Sequence, residues 1–441
     1  MLSITTAVWG AAGIEEFTMI KDAEVSLNPK VSICIPTYNR APYLSLLLRD
    51  FFADPPQNSF ELVICDNCST DDTAAVLTEW SDRKSTIRAY QQTRNLGPYA
   101  NMMTAFRFAR GEYCVYLADD DRLINSAVDE GIEFLDLNPK IAVYYASHEF
   151  WDNLDKTSHG MSFPVLEEHR FSKLDAMALV NYVVRPANLP EIGLYRTEAL
   201  QRITSVPVKA SFSLTNIADI LEFGDVCFRP VHFYRYLIRH EIPNPPGHSV
   251  GQRGVLHELD AYRAGLQYLS AKAYQYIGYD HIPLGDLGVL NSMIEACLDS
   301  SLVNATNVLI SWGEYRGAYE FLLRQMARGW FQASQAEYFR ANLIPGVVAQ
   351  AAIEMFEGMS IVDRFALFAI PDLAQTLGLL EQLRPGFAVD SLGEPNVLFS
   401  ADRSRTFVLT GDEESRASLI TAGFAPGLVV SQVDLVRKYK L

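Results

Sequence analysis

Three consecutive aspartates follow an apolar run in the stretch YLADDDRLI. Asp119, Asp120 and Asp121 come directly after residues that indicate a buried strand. Neighbouring like charges repel, and burying an unpaired carboxylate costs several kcal/mol. Carboxylate oxygens in a D-x-D spacing suit hard cations such as Mg²⁺ or Mn²⁺, which bridge to substrate phosphates. The pattern therefore predicts a cation and a phosphorylated ligand; a solvated turn or helix start, where aspartate is also favoured, is the alternative.

Short apolar runs and helical periodicities alternate around these aspartates. The predicted strands lie in the segments VSICIP, FELVICD, STIRAYQQ, EYCVYLADDD and KIAVYYAS. Helical patterns lie between them. Alternating strands and helices indicate βαβ crossovers and a parallel sheet. Ligands bind beyond the carboxyl ends of such strands. Because Asp66 also follows a strand, we expect it to meet the three aspartates along one edge of the sheet.

The rest of the chain has a different character. Residues 1–30 are predicted to form a loose extension, and mixed patterns rich in proline and aromatic residues reach about residue 255. Residues 256–384 are dominated by helical periodicity, and residues 385–441 have the pattern of a small α/β unit. We therefore predict an α/β protein with a mainly parallel sheet domain at 31–255, a mainly helical domain and a small C-terminal α/β unit.

Composition restricts the partners. The 441 residues carry a formal net charge of −16, which argues against nucleic acid as a ligand. A phosphorylated ligand stays compatible when a cation supplies the positive charge. The six cysteines form no disulfide framework, so a reducing cytoplasm is predicted. No uncharged apolar stretch reaches the roughly 18 residues of a membrane span, and peripheral association with the inner membrane face and homo-oligomerisation are left open.

Three ordered motifs carry a family resemblance. The segments VSICIPTYNRAPYL, ELVICDNCSTDDT and NLGPYANMMTAFRFARGEYCVYLADDD together resemble the nucleotide-binding half of the family 2 glycosyltransferases with the GT-A fold. The resemblance is strong over about residues 31–145, weak to residue 255, and absent beyond. It implies transfer of a sugar from a nucleotide-sugar donor to a glycan or lipid-linked saccharide acceptor, as in bacterial surface polysaccharide synthesis.

The resemblance also implies which residues hold the donor. Asp66 would accept the N3–H of a uracil or thymine ring, so UDP or dTDP is expected; a helix cap is the alternative role for this residue. Gly97 would allow close backbone approach to the nucleotide. The implied nucleotide-binding residues are Pro36, Thr37, Tyr38, Arg40, Asp66, Arg94, Asn95, Gly97 and Asp119. The implied ligands of Mn²⁺ or Mg²⁺ are Asp119, Asp120, Asp121 and His240.

The catalytic base departs from the family pattern. Relatives carry a carboxylate at the start of the helix before a GDV-like strand, and Ser213 stands near that place. Asp219 on the same helix is the first candidate and Glu191, in the preceding loop, is the second. Asp219 lies six residues after Ser213, which an ideal helix turns by about 240°. Its candidacy therefore requires the helix to begin late, near Leu214 to Asn216, or to bend.

Two other functions compete with glycosyl transfer. A non-catalytic donor-binding or scaffold module would explain the missing carboxylate at the position of Ser213. A sugar-nucleotide pyrophosphorylase would share the sheet but needs a glycine-rich, basic phosphate loop after the first strand. The segment IPTYNRAPY has neither several glycines nor a lysine, which counts against that alternative.

Overall fold

The computed structural model describes residues 5–10, 13–21, 29–184, 190–203, 211–242, 259–278, 284–329, 333–394 and 400–438. The chain divides into two compact units, residues 1–297 and residues 298–441. Each unit contains its own sheet.

The first unit is built on a sheet of twelve strands among the described residues. The strands are β1 (Thr5–Gly10), β2 (Gly13–Lys21), β3 (Val31–Thr37), β4 (Phe60–Asp66), β5 (Ile87–Gln92), β6 (Tyr113–Tyr116), β7 (Arg122–Leu123), β8 (Ile141–Asp152), β9 (Thr157–Phe163), β10 (His169–Phe171), β11 (Gly193–Arg196) and β12 (Asp225–Arg239). They are ordered β1-β2-β5-β4-β3-β6-β11-β8-β12-β10, with β7 paired to β12 and β9 to β8. The central run β5-β4-β3-β6 is parallel, as predicted.

Helices cover this sheet because their apolar residues recur at helical spacing. Leu44, Leu47, Leu48 and Phe51 lie on one face of the first helix and are buried in the same core cluster as the apolar residues of β3 and β4. The helices of this unit are α1 (Ala41–Ala53), α2 (Thr73–Arg83), α3 (Pro98–Phe108), α4 (Asn125–Leu137), α5 (Ala176–Val183), α6 (Thr197–Arg202), α7 (Phe212–Ile220) and α8 (Leu259–Ile277), with a 3₁₀ turn at Lys173–Asp175.

The N-terminal segment differs from its prediction as a loose extension. β1 and β2 pair antiparallel, and β2 adds to the edge of the sheet beside β5. The buried ring of Phe17 lies 5.8 Å from the ring of Tyr90 and 4.7 Å from that of Phe108, measured between centroids. An open strand edge and an aromatic pocket therefore order residues that carry no strong strand pattern of their own.

The second unit combines helices with a small parallel sheet. Its elements, with α9 beginning in the first unit, are α9 (Leu284–Ser311), α10 (Tyr315–Ala327), α11 (Ala333–Asn342), α12 (Ile344–Glu357), β13 (Arg364–Phe368), α13 (Leu373–Leu383), β14 (Val389–Leu392), α14 (Ser400–Arg403), β15 (Thr406–Thr410), α15 (Glu413–Thr421), a 3₁₀ turn (Pro426–Leu428), β16 (Val429–Ser431) and α16 (Gln432–Lys438). The strands are ordered β14-β13-β15-β16 and all run parallel.

The architecture confirms the predicted fold class: a mainly parallel sheet domain, a helical region and a small α/β sheet. The domain boundaries at residues 255 and 384 stay predictions, since the compact units divide after residue 297 and the small sheet already includes β13. Among the described residues, no helix is both long and apolar enough to cross a membrane.

Candidate active site

The carboxyl ends of three parallel strands form one edge of the first sheet. Thr37, the last residue of β3, lies opposite Asp66, the last residue of β4. The chain after β6 returns to this edge, because the Thr37 hydroxyl donates a hydrogen bond of 2.7 Å to Oδ2 of Asp119. Asp66 and the three aspartates therefore lie along one edge of the sheet, which is the arrangement that the βαβ pattern predicts.

Asn67 joins the loops that follow these strands. Its backbone N–H donates to the carbonyl of Thr37 at 2.9 Å, and its side-chain Nδ2 donates to Oδ1 of Asn95 at 2.9 Å. Its Oδ1 accepts the backbone N–H of Leu96 at 2.8 Å. One buried amide thus holds the loops after β3, β4 and β5 together. Sequence reasoning missed this residue, although its place directly after Asp66 at a strand end is a usable signal.

The predicted nucleotide-binding residues of these loops are accessible in part. Gly97 has φ +86°, and the position of a Cβ there would meet nothing within 4 Å. Glycine is thus required here for the backbone conformation rather than for close packing. Arg94 and Asn95, shortly before Gly97, are exposed. Tyr38, directly after β3, is also exposed, and Pro36 is partly buried near the end of β3.

Asp66 is fully buried and already has partners. Its Oδ1 accepts the backbone N–H of Ser69 at 3.1 Å and also the Ser69 hydroxyl. Its Oδ2 accepts Nε2 of Gln91 at 2.8 Å. An ionised carboxylate has about four acceptor positions, so these bonds leave acceptor capacity on Oδ2. Gln91, which lies opposite Asp66 on β5, was missed by the sequence analysis.

The three aspartates differ in exposure and in charge environment. Asp119 and Asp121 are buried, whereas Asp120 is partly exposed and lies 3.4 Å from the guanidinium of Arg40. Burial and repulsion by Asp120 raise the pKa of Asp119 to about 7, against the opposing effects of Arg40 and of the hydrogen bond from Thr37. Burial and Asp120 also raise the pKa of Asp121. The negative charge of the three aspartates is thus only partly compensated by positive charge nearby.

Asp121 is anchored to β12. Its Oδ1 accepts the backbone N–H of Leu237 at 2.9 Å, and its Oδ2 accepts the hydroxyl of Tyr234 at 3.0 Å. The same hydroxyl accepts the backbone N–H of Ala118 at 3.1 Å. Both oxygens of Asp121 are therefore used within the protein, and this residue shapes the loop.

The donor set suits a hard cation in part. Within the described ranges, no three His, Cys, Asp or Glu side chains form a group that could hold a metal ion. Asp119 and Asp120 offer carboxylate oxygens, and their shortage of positive charge fits a divalent cation that takes its other ligands from phosphate and water. The predicted set of four protein ligands is thus not assembled, because the oxygens of Asp121 are turned to β12.

His240 lies beside this cluster. Its ring packs edge-on against Tyr43, with centroids 5.0 Å apart, and the guanidinium of Arg40 lies 4.8 Å from the same tyrosine ring. Burial lowers the pKa of His240, as do Arg122 and Arg40, while Asp120 acts in the opposite direction. His240 is thus within electrostatic reach of Asp120, and its role as a metal ligand stays a prediction.

Asp219, the first candidate for the base, faces α8. The helix that carries it begins at Phe212, so it lies six residues after the buried Ser213 on a helix that does not start late. Its Oδ1 accepts the hydroxyl of Tyr268 at 2.7 Å and lies 3.4 Å from Nζ of Lys272. The late helix start that would favour Asp219 as the base is therefore not observed, and its role as the base stays a prediction.

Glu191, the second candidate, lies with the aspartates. Its Oε2 accepts the hydroxyl of Tyr236 at 3.0 Å, and the ring of Tyr236 is 5.1 Å from that of Tyr234, which bonds Asp121. Burial raises the pKa of Tyr116, and the charges of Glu191 and of all three aspartates act in the same direction. One tyrosine hydroxyl is therefore within electrostatic reach of all four carboxylates.

His148 supports the loop that carries Glu191. Its Nε2 lies 3.2 Å from the carbonyl oxygen of Ile192, and burial lowers the pKa of this histidine to about 3. Its ring also packs against Tyr236, with centroids 5.8 Å apart. Sequence reasoning missed His148, Tyr234 and Tyr236; the alternating aromatic residues of FYRYL, next to His240, were the available signal.

Comparison with known proteins finds similarity over part of the chain. Residues 32–204 match the model of glycosyl transferase family 2. The abequosyltransferase RfbV of Salmonella typhimurium is 35% identical over 100 residues, which are 22% of this chain and 30% of that protein. The poly(ribitol-phosphate) β-N-acetylglucosaminyltransferase TarS of Staphylococcus aureus is 29% identical over 108 residues, which are 24% of this chain and 19% of that protein. The matches thus span less than a third of either relative.

Two solved structures are similar to this chain. Residues 1–349 of TarS, in complex with UDP, align with a TM-score of 0.42 and 17% identity, covering 74% of this chain and 82% of that one. The mannosyltransferase PcManGT from Pyrobaculum calidifontis, in complex with GDP-Man and Mn²⁺, aligns with a TM-score of 0.40 and 18% identity, covering 75% and 90%.

A mainly parallel sheet with carboxylates gathered at its strand ends agrees with the predicted fold class, and its residues 32–204 match a glycosyltransferase family model. The match over residues 32–204 covers part of this chain and agrees with the family resemblance that its motifs predict.

Proposed function

We propose that this chain is a metal-dependent, inverting glycosyltransferase that uses a UDP- or dTDP-sugar. Its acceptor would be a glycan or a lipid-linked saccharide in surface polysaccharide synthesis. The observation that carries the proposal is the placement of Glu191 beside the three aspartates, at the sheet edge that Asp66 also occupies. The proposed donor-binding edge and the candidate base would then act on one substrate.

The loops after β3, β4 and β5 would bind the nucleotide. The remaining acceptor capacity of Asp66 would pair with the N3–H of a pyrimidine ring, while Gln91 and Ser69 hold the carboxylate in place. Arg94 and Tyr38 are exposed and would contact the nucleotide from outside. Asn67 ties these loops together, so the pocket would need little rearrangement on binding.

Asp119 and Asp120 would hold a divalent cation against the diphosphate of the donor. The bound cation would neutralise the charge that develops on the departing nucleoside diphosphate. Asp121 would keep the loop in position through Leu237 and Tyr234. Arg40, already 3.4 Å from Asp120, would add positive charge at the same place.

Glu191 would act as the general base. It would accept the proton of the acceptor hydroxyl while the hydroxyl oxygen forms a bond to the anomeric carbon of the donor sugar. The bond between that carbon and the diphosphate oxygen breaks, and its electron pair leaves with the nucleoside diphosphate. Attack from the side opposite the leaving group inverts the configuration of the anomeric carbon. The hydrogen bond from Tyr236 would orient the carboxylate for this role.

The test is turnover of a donor panel. The full chain is incubated with UDP-, dTDP-, CDP- and GDP-sugars, with Mn²⁺ or with a chelator, and release of nucleoside diphosphate is followed. Metal-dependent release from a UDP- or dTDP-sugar is expected. Donor binding without release in any metal condition would instead indicate a non-catalytic donor-binding module, which the serine at position 213 favours.

A further inference from the structure

A row of aromatic rings leads from the aspartates to the protein surface. In the parallel pairing of β8 with β12, Tyr234 lies opposite His148, and Tyr236 lies opposite Phe150. Ring centroids are 5.6 Å apart for His148 and Tyr234, and 6.2 Å apart for Phe150 and Tyr236. The row starts at Tyr234, whose hydroxyl bonds Asp121. It ends at Phe150, which is 40% exposed.

Tyr236 connects Phe150 to the candidate base, because it bonds Glu191 and packs against Phe150. A general base must reach the proton that it removes within about 2.6–3.2 Å between heavy atoms. The Tyr236 hydroxyl lies 3.0 Å from Glu191, so an acceptor hydroxyl that reaches this carboxylate comes close to Tyr236. The rest of the acceptor must then lie next to Tyr236, and Phe150 is the exposed ring packed on that residue.

The surroundings of Phe150 favour a saccharide over an apolar partner. On the same face of β8 as Phe150, Asp152 pairs with Arg239, which also pairs with Asp155. An acyl chain or a large apolar protein surface would have to cover these ion pairs, which is costly. A sugar ring presents a C–H face that fits one aromatic ring, while its hydroxyls stay hydrated or bond to charged neighbours.

The neighbouring tryptophan provides a contrast within the same strand. Trp151 follows Phe150 and lies on the opposite face of β8, where the guanidinium of Arg235 covers its ring at 4.0 Å. Its aromatic face is therefore already used inside the protein. Phe150 has instead a large exposed fraction, which is unusual for phenylalanine at a paired strand position.

We infer that Phe150 and Tyr236 form an acceptor subsite that stacks one saccharide ring and presents its hydroxyl to Glu191. This inference rests on the proposed function, because it takes Glu191 as the base. It adds the location and the chemical class of the second substrate: a pyranose that offers a C–H face, either free or as the end of a longer glycan.

The experiment uses methyl glycosides as probes. The full chain with UDP and Mn²⁺ is mixed with methyl glycosides of glucose, galactose, mannose, rhamnose and N-acetylglucosamine. Binding is followed by saturation-transfer NMR, and transfer is followed with the donor found active. For a glycoside that binds, Phe150→Ala should weaken its binding and raise its KM roughly three- to tenfold, while the Kd of UDP stays within about twofold. Phe150→Tyr keeps an aromatic ring and should restore the KM.

Leu154→Ala is the matched control, since Leu154 is an exposed apolar residue in the turn after β8. It should leave the KM of the glycoside unchanged. An unchanged KM in Phe150→Ala, or no saccharide binding by a wild-type protein that does cleave its donor, overturns the inference. Absence of donor cleavage would contradict the proposed function alone, because NMR binding and its loss in Phe150→Ala still report on the subsite.

Discussion

Asp66 is the buried carboxylate that we propose to select the nucleobase of the donor. Gln91 and Ser69 hold it, and its free acceptor capacity matches a ring N–H. UDP has that N–H at position 3 and CDP lacks it, so CDP should bind more weakly by about 1–3 kcal/mol. Calorimetric titration of UDP and CDP measures the difference. Asp66→Asn should reduce or reverse the preference, because its amide can donate to cytosine.

Asp71→Asn is the control for this prediction. Asp71 is in the same loop, where it accepts the backbone N–H of Ala41 at 3.1 Å rather than facing an open acceptor position. The variant should retain the preference for UDP. Equal affinity of the wild-type protein for UDP and CDP would remove Asp66 from the nucleotide site.

Glu191 and Asp219 can be separated by turnover. A positioned base contributes about 10²–10⁴-fold to the rate, so Glu191→Gln should lower kcat at least a hundredfold with unchanged UDP affinity. Asp219→Asn should turn over near the wild-type rate, because its carboxylate bonds Tyr268 and Lys272 on α8. Normal turnover in both variants would mean that the proton goes elsewhere, for example to His240.

Among the elements, the pairing of β8 with β12 buries a histidine that should make the stability of the fold sensitive to acid. His148 is buried between the rings of Phe163, Tyr234 and Tyr236, and its pKa is lowered to about 3. The unfolded chain takes up a proton near pH 6.5, whereas the folded chain does not. The contribution of the buried, neutral His148 to the free energy of unfolding is therefore fully present above pH 6.5. It is lost as the pH falls below that value, by about 1.4 kcal/mol per pH unit.

Urea unfolding at pH 7.5 and at pH 5 checks this effect. His148→Phe keeps a ring but cannot titrate, so its free energy of unfolding should fall less between the two values than that of the wild-type protein. The comparison concerns the pH slope, and a constant loss of packing in the variant does not affect it. Identical slopes for the two proteins would exclude His148 as the source of acid sensitivity.

The same elements show what the sequence could predict. The strand ends were predictable because one apolar run stops at Asp66 and another stops just before the three consecutive aspartates. Parallel strands then bring such ends together. The partners of Asp121 were not predictable, because Tyr234 and Leu237 are more than a hundred residues away and one contact is a backbone N–H. The base assignment depended on where one helix starts, which is the least certain feature of a periodic pattern.

For the whole molecule, the negative charge predicts that a cation takes part in ligand binding. A chain of net charge −16 that gathers carboxylates at one edge should repel the diphosphate of UDP. UDP with Mn²⁺ should raise the free energy of unfolding by about 2.7 kcal/mol at a hundredfold excess over Kd, and UDP with a chelator should raise it much less. Thermal or chemical unfolding measures the shift.

Asp120→Asn should lose most of the Mn²⁺-dependent part of this stabilisation, since it removes a partly exposed carboxylate of the cluster. Asp54→Asn, an exposed aspartate at the end of α1, changes the net charge equally and should retain it. Stabilisation by UDP that is the same with Mn²⁺ and with a chelator would contradict a metal-dependent site.

The bond between Asp121 and the backbone of Leu237 has a consequence for exchanging parts between related enzymes. Because that bond is made by an N–H, every side chain except proline at position 237 preserves it, whereas inserting or deleting a residue between Tyr234 and Leu237 breaks it. A chimera that takes its segment after β12 from a relative should therefore be joined beyond His240. With the junction at that point, the chimera keeps the bond between Asp121 and the backbone of Leu237, and the loop of the three aspartates stays in position.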